Sequence, residues 1–586
     1  MINLTIDGQP VSVPRGTTVL EAAKAIGLRI PTLCYMQGLN EIGACRLCLV
    51  EVKGMRGLQA ACVLAASEGM EVYTNTPAVR EARRINLELI LSNHPQDCLV
   101  CERNRQCELQ TLAEELGIRE VRFSGEVSAY PLDCSSPSIV RDPSKCILCR
   151  RCVAVCHQVQ SVGVLAPTAR GFDTIVAPEA ESSLNDVACV LCGQCIMVCP
   201  TGALREADNT EAVFAALSDP SKHVIVQTAP AIRVALGEEF GYEPGTIVTG
   251  KMVSALRRLG FDAVFDTDFA ADLTIWEEAN ELVGRLQAGG TLPMITSCSP
   301  GWIKFIEHYY PDLLDHLSTC KSPHQMLGAL AKSYYAEAIG VKPEDIVVVS
   351  IMPCTAKKFE RTRPELVGEH GLADVDFVLT TRELARMIKQ AGLDFGQLPD
   401  DSFDSPLGLS TGAAVIFGAT GGVMEAALRT AYEWVSGETL GDIELTAVRG
   451  LENIKEAAVE LPGTDITLRV AVAHGLANAR KLLEAIRAGE ADYHFIEIMA
   501  CPGGCITGGG QPRPQDVNDM NELRLKRMRG IYQADKALPI RKSHENEAVK
   551  ELYEKYLGDI GGEKAHQLLH THYTARGKYP RQIKQS

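Results

Sequence analysis

Aromatic residues are scarce in this chain: Phe, Trp and Tyr make up 5% of 586 residues, and only three are tryptophan. So few rings argue against a base-stacking surface. Basic charge is also in deficit. Fifty-eight Lys and Arg face 74 Asp and Glu, a formal net charge of −16, which argues against nucleic acid and anionic membrane as partners. Long apolar runs are missing: none reaches the ~18 residues a membrane span needs, and mean hydropathy is near zero. The opening MINLTIDGQPVSVPRGTTV has no basic n-region, apolar h-region or twin arginine. It alternates apolar and polar residues like a strand of a mature domain. These absences predict a soluble, cytoplasmic protein, and the length predicts several domains.

Cysteine is what the chain has in quantity. There are 21, and an odd number excludes a complete set of internal disulfides. In a reducing compartment such a count favours metal. Cys34, Cys45, Cys48 and Cys62 form the first group, with the C-x-x-C pair on the tight loop GACRLC. IDGQPVSVPRGTTVLEAA before it reads as a hairpin and then a helix. A zinc site usually takes two C-x-x-C pairs, and here there is one. The group resembles the 2Fe–2S ferredoxin-like domain of multicluster redox subunits. His94, Cys98, Cys101 and Cys107 follow as H-x₃-C-x₂-C-x₅-C. Alone this set also suits Cys₃His zinc; its setting between cluster domains decides against that. It resembles the His–Cys₃ 4Fe–4S site of hydrogenases and of a complex I subunit. CILCRRCVAVC and CVLCGQCIMVCP are near-repeats of C-x₂-C-x₂-C-x₃-C, the bacterial two-cluster ferredoxin pattern, in which the fourth cysteine serves the other cluster. One 4Fe–4S cluster is therefore expected on Cys146, Cys149, Cys152 and Cys199, the other on Cys189, Cys192, Cys195 and Cys156. Cys134 stands outside any group.

From about residue 222 short apolar runs (HVIVQTAP, TLPMITSC, IVVVSIMPC, LRVAVAHG, YHFIEIMAC) alternate with helical stretches. This predicts α/β with buried, largely parallel strands. Three runs end in Cys298, Cys354 and Cys501, and Cys505 follows in CPGGCITGGG. Ligands bind beyond the carboxyl ends of such strands, so these cysteines are expected to converge, with glycines making room.

TSCSPGW, MPCTAKKFE and EIMACPGGCITGGGQP resemble the three signature segments of FeFe-hydrogenases, and with the cluster domains the resemblance covers about residues 1–575. It implies reversible interconversion of two protons and two electrons with dihydrogen. It implies an H-cluster: a 4Fe–4S cubane joined through one cysteine to a diiron centre with CO, CN and an azadithiolate. Cys298, Cys354, Cys501 and Cys505 become the site thiolates, with Cys505 the bridge. Lys357 matches a cation facing the cyanides. Met352 and Met499 match methionines packed around the diiron centre, and Ala229 and Pro230 match its backbone wall. The family usually reads TSCCP where this chain has Cys298 then Ser299. Thiolate is the better iron ligand, which leaves Ser299 the proton-relay position. Glu278, Glu281 and Ser318 match the rest of the proton path; as a helix face, Glu277, Glu278 and Glu281 also read as solvent-facing charges.

The expected layout is multidomain α/β and α+β: a 2Fe–2S ferredoxin-like domain (1–78), a His–Cys₃ domain (79–125), a two-cluster ferredoxin-like domain (136–209), a catalytic H-cluster domain (210–520), and charged helices with a basic tail (521–586) that wrap it. Expected partners are ferredoxin, flavin- and NAD-binding diaphorase-type subunits of an electron-bifurcating complex, and the diiron maturation enzymes. The competing readings are a catalytically silent electron-transfer or cluster-assembly protein, a hydrogen sensor, and a complex I-like subunit. Three features are set aside: FGATGGVMEAALR lacks the G-K-[ST] of a phosphate loop, His566 and His570 are read as lying on an exposed helix, and Cys320 is read as structural. Lys358 and Glu360 are expected as a solvated pair.

Overall fold

The computed structural model describes residues 1–368, 371–463 and 466–577. The alternation of the first residues becomes a hairpin of β1 (Ile2–Ile6) and β2 (Gln9–Val13), with Leu4, Ile6, Val11 and Val13 inward. Thr18 and Glu21 form a capping box that starts the helix Val19–Ala25. β3 (Leu49–Val52), β4 (Gln59–Ala60) and β5 (Glu71–Tyr73) complete a sheet of order β2-β1-β5-β3-β4. The helix Pro77–Ser92, capped by Thr76 with Pro77 in its first turn, delivers the chain to His94. Four short strands frame the next unit: β6 (Ile139–Arg141), β7 (Ala166–Thr168), β8 (Ile175–Ala177) and β9 (Leu204–Glu206), paired β6 with β9 and β7 with β8.

Eight strands follow: β10 (His223–Thr228), β11 (Ala263–Asp266), β12 (Met294–Ile295), β13 (Ile346–Met352), β14 (Phe377–Thr380), β15 (Ile454–Glu460), β16 (Thr467–His474) and β17 (Phe495–Met499). They make two sheets. One, β11-β10-β13-β14, is wholly parallel; the other, β12-β17-β16-β15, is parallel except that β15 runs against β16. Central strands are covered on both faces, as the continuous apolar runs predict: every residue of β17 is buried. β15, at an edge, alternates between covered and exposed positions.

The helix Thr267–Ala288 is capped by Asp266 and ends at Gly289 in the left-handed region. Its first half is buried all round, between the helices Pro323–Leu330 and Gly422–Ser436. The Gly-rich FGATGGVMEAALR segment is this second packing helix and its lead-in turn. Residues 520–577 make several contacts with the elements before them. Arg527, fully buried on the helix Met520–Ala537, donates to the carbonyls of Ile506 and Pro512 and pairs with Glu238. The helix Glu563–Leu569 lies against Pro323–Leu330, and backbone bonds tie Leu569 to Lys321 and Thr571 to Thr319. The basic tail from residue 578 lies outside the described residues.

Candidate metal centres

Cys298, Cys354, Cys501 and Cys505 all stand just beyond carboxyl ends of strands, after β12, β13 and β17. Ala229 and Pro230 leave the end of β10 and are buried. Met352 and Met499, each 2% exposed, close β13 and β17. Two glycines let backbone segments meet here. Gly504 has φ +94°, and a Cβ on it would lie 2.6 Å from the Thr420 nitrogen; a Cβ on Gly508 would collide with the Pro353 carbonyl. Burial pushes all four thiols up, Cys505 to about 12. Left alone, such thiols stay protonated; holding them as thiolates takes a strongly cationic centre. That donor set in that well fits an iron–sulfur cluster.

Lys357, on the short helix Ala356–Glu360, reaches the same well. Its Nζ donates to the Cys298 carbonyl at 3.2 Å, Ser322 Oγ at 2.8 Å and Glu360 Oε2 at 2.8 Å. Burial alone would raise the Glu360 carboxyl, but Lys357 and His324 outweigh it and hold it at about 2. The expected solvated pair of Lys358 and Glu360 does not exist. Lys358 is 1% exposed and pairs with buried Glu383 at 2.9 Å, while Glu360 turns to Lys357 and His324. Lys358 finds its mate on another element, and Glu360 takes Lys357 of its own helix together with His324 from elsewhere.

Glu277 and Glu278 are not solvent-facing either: they are 0% and 1% exposed. Both Glu278 oxygens are buried without a hydrogen-bond partner. Burial, helped by the charge of Glu281, pushes its carboxyl to about 8. Ser318 stands beside it and donates to Glu281 at 3.0 Å; Glu281 also accepts from Thr319 N at 3.0 Å and pairs with half-covered Arg285 at 2.7 Å. The structure therefore lines up Glu278, Ser318, Glu281 and Arg285 from the interior outward. Ser299 Oγ accepts from Ala500 N at 3.3 Å.

Comparison with known proteins places the chain in a family. The model for the iron only hydrogenase large subunit, C-terminal domain, matches residues 222–509, and that for the iron hydrogenase small subunit matches 521–576. A 2Fe-2S iron-sulfur cluster binding domain matches 1–77, the NADH-ubiquinone oxidoreductase-G iron-sulfur binding region 83–122, and a 4Fe-4S dicluster domain 137–203. The NADP-reducing hydrogenase subunit HndD of Solidesulfovibrio fructosivorans is 55% identical, over 98% of this chain and 99% of its own length. Iron hydrogenase 1 of Clostridium pasteurianum is 42% identical, over 98% of this chain and all of its own. The chain belongs to the FeFe-hydrogenase family. FeFe-hydrogenase HydA1 from Chlamydomonas reinhardtii superposes with a TM-score of 0.57 at 46% identity, covering 63% of this chain and all of that one. The protein is a hydrogenase that interconverts dihydrogen with protons and electrons. Its cofactors are one 2Fe–2S cluster, three accessory 4Fe–4S clusters and the H-cluster.

The hydrogenase's accessory sites have the matching shape. One cavity is lined by Cys146, Cys149, Cys152 and Cys199, a second by Cys156, Cys189, Cys192 and Cys195. The exchange of the fourth cysteine is thus built into the cavities. In the first domain Cys48 and Cys62 sulfurs lie 3.3 Å apart, and Leu33 N points at Cys45 Sγ at 3.5 Å. His94 has a buried Nδ1 with no partner, and burial holds its imidazole neutral, the form that ligates metal. Cys101 and Cys107 are partly covered, Cys98 exposed; Cys134 is exposed as well.

The units of the hydrogenase touch through these loops. Asn40 Nδ2 donates to the carbonyls of Cys34 at 2.7 Å and Cys149 at 3.0 Å. Glu108 N donates to the Pro200 carbonyl at 3.0 Å, and Arg151 pairs with Glu108 at 2.8 Å. On the other side Thr355 donates to the Leu191 carbonyl at 2.7 Å and Gln194 to that of Thr507 at 2.9 Å. Sequence reasoning missed Asn40, His324 and Ser322. None lies in a metal-ligand spacing; Glu360, three residues after Lys357, was the one such partner with a local signal.

Proposed function

We propose that this chain is the hydrogen-converting subunit of a cytoplasmic assembly whose partner subunits bind flavin and nicotinamide nucleotide. Cys298, Cys354, Cys501 and Cys505 would hold the H-cluster with its diiron centre. When bound, that centre supplies the place where dihydrogen is split or formed. Lys357, fixed by Glu360 and Ser322, offers a positive charge to anionic ligands in the well. Met352, Met499, Ala229 and Pro230 exclude water. Protons pass between Ser299 and the surface by Glu278, Ser318 and Glu281; Glu278, poised near pH 8, accepts and returns a proton at working pH. Clusters held by Cys34–Cys62 and by His94–Cys107 would supply two electron arms toward the site of Cys146, Cys149, Cys152 and Cys199, and a cluster on Cys189, Cys192, Cys195 and Cys156 would link that site to the four catalytic-domain cysteines.

The observation that carries the site assignment is that four thiols distant in sequence stand at neighbouring strand ends, close enough to act on one another's charge, with the Lys357 ammonium on the Cys298 carbonyl. The partner reading is supported by the whole-length relative that is named a subunit of an NADP-reducing hydrogenase. The matured chain is expected to show infrared bands of iron-bound CO and CN, lost on Cys505→Ala. It is expected to turn over with nicotinamide nucleotide only when produced with its flavin-bearing neighbours. Full-rate exchange with ferredoxin by the chain alone, and no stable complex, counts against the partner reading. Among the described residues no helix is long and apolar enough to cross a membrane.

A further inference from the structure

Cys320 and His570 take no part in the site above, and 250 residues of sequence separate them. The fold pairs them across an isolated antiparallel bridge. Far from lying on an exposed helix, the His570 side chain is 6% exposed; His566, stacked on it with ring centroids 4.8 Å apart, is the exposed one. Sγ of Cys320, a ring nitrogen of His570 and a carboxylate oxygen of Glu281 lie within 4.8 Å of one another. A soft sulfur, an imidazole and a carboxylate form the mixed donor set that zinc-class ions take in tetrahedral sites, a water completing the four.

We propose that Glu281, Cys320 and His570 form a transition-metal site of the zinc class, set beside the proton path. The surroundings are those of a ligating histidine. His570 Nδ1 lies 2.8 Å from Thr319 Oγ1, which itself lies 3.3 Å from Glu281; Nε2 lies 3.1 Å from Glu277 Oε2. Nδ1 is therefore the nitrogen on the Glu281 side. Glu277, further fixed by Tyr553 and Gly561 N, orients the ring from behind. That is the carboxylate–histidine–metal arrangement that sets a ligand's tautomer. Charge points the same way. Glu277 and Glu281 bring two carboxylates beside Cys320. Arg285 answers Glu281 alone. A divalent ion seated here compensates the excess and displaces one proton, that of the Cys320 thiol, to solvent.

The consequence rests on the relay reading above: an ion on Glu281 takes the outer carboxylate out of proton transfer and stops turnover. The test uses holoenzyme with all clusters loaded, treated with one equivalent of ZnCl₂ and freed of unbound metal. Retained zinc is expected with one sulfur at about 2.3 Å in its X-ray absorption, and with unchanged iron content. Cys320→Ser and His570→Gln are each expected to weaken retention about 10- to 100-fold, while keeping the cluster EPR spectra and basal turnover of the parent. Zinc inhibition, reversed by EDTA, is expected in the parent and not in Cys320→Ser. Equal retention in both variants, or zinc without a sulfur neighbour, as at the surface set Glu433, His544 and Glu545, overturns the site. Retention with sulfur but full turnover upholds the metal site and counts instead against Glu281 as a relay.

Discussion

A serine hydroxyl is a far weaker acid than a cysteine thiol, so in the proton relay proposed above Ser299 would set how easily a proton leaves the inner end. Ser299→Cys is expected to raise proton-reduction turnover with a viologen donor roughly tenfold and to shrink the solvent deuterium effect. Unchanged rate and isotope effect would place the slow step elsewhere. Glu278 is the other residue whose chemistry is set by its surroundings. Its carboxyl is raised to about 8 by burial and by Glu281. The unfolded chain releases that proton near the ordinary carboxyl range, so the folded state binds more protons between there and pH 8. The stability it carries is full below the ordinary carboxyl range and is lost as pH rises through 8. Glu278→Gln removes this dependence. Melting is expected on the order of 5 °C higher than the parent at pH 9, with the gap narrowing toward pH 5. Turnover is expected to drop about 10²- to 10⁴-fold at every pH. A parent-like melting profile across that range would sink the assignment.

At the scale of elements, the segments that follow β12, β13 and β17 carry the four site cysteines between them. Gly504→Ala puts a Cβ at φ +94° and against the Thr420 nitrogen, a strain of about 1–2 kcal/mol before any backbone shift. The expected result is a chain that keeps its accessory clusters but loses CO and CN bands, read by iron content and infrared; full bands would show that the loop yields. Lys358→Met leaves Glu383, which also caps the helix Thr381–Gln390, buried without its cation, a loss of about 3–5 kcal/mol. Lower thermal stability with unaltered infrared bands is expected. Elements of this kind also mark what a sequence shows. The cysteine groups and the strand-ending cysteines were legible because ligand spacing and apolar runs are local. The helix Thr267–Ala288 was legible only in part: Glu278 and Glu281 read either as a proton path or, with Glu277, as a wet face, and a helix threaded between two others buries Glu277 and Glu278. Their partners lie far off in sequence, His570 for Glu277 and Ser318 for Glu281. Lys358 misled for the same reason, its mate being Glu383.

Across the whole molecule, four cluster units lie in sequence order but connect as a fork. Both N-terminal arms abut the Cys146–Cys199 unit, one through Asn40 and the other through Glu108, Arg151 and Pro200. The catalytic domain receives electrons on the opposite side, where Gln194 and Thr355 cross between loops. Two entrances suit a subunit that serves more than one redox partner, and one of them can be loosened alone. Asn40 is 4% exposed, and its amide alone joins the carbonyls of Cys34 and Cys149. Asn40→Ala leaves both acceptors to water or to each other, weakening the docking of the first domain by about 1–3 kcal/mol. Because electron transfer falls steeply with distance, reduction of the 2Fe–2S cluster by dihydrogen is expected to slow severalfold. The 4Fe–4S signals and viologen turnover, which bypass that arm, are expected to hold. Freeze-quench EPR separates the two kinds of cluster in one experiment. A 2Fe–2S signal that rises as fast in the variant as in the parent would mean that the first arm is held by other contacts, such as Met36 packed on Val155 and Val198.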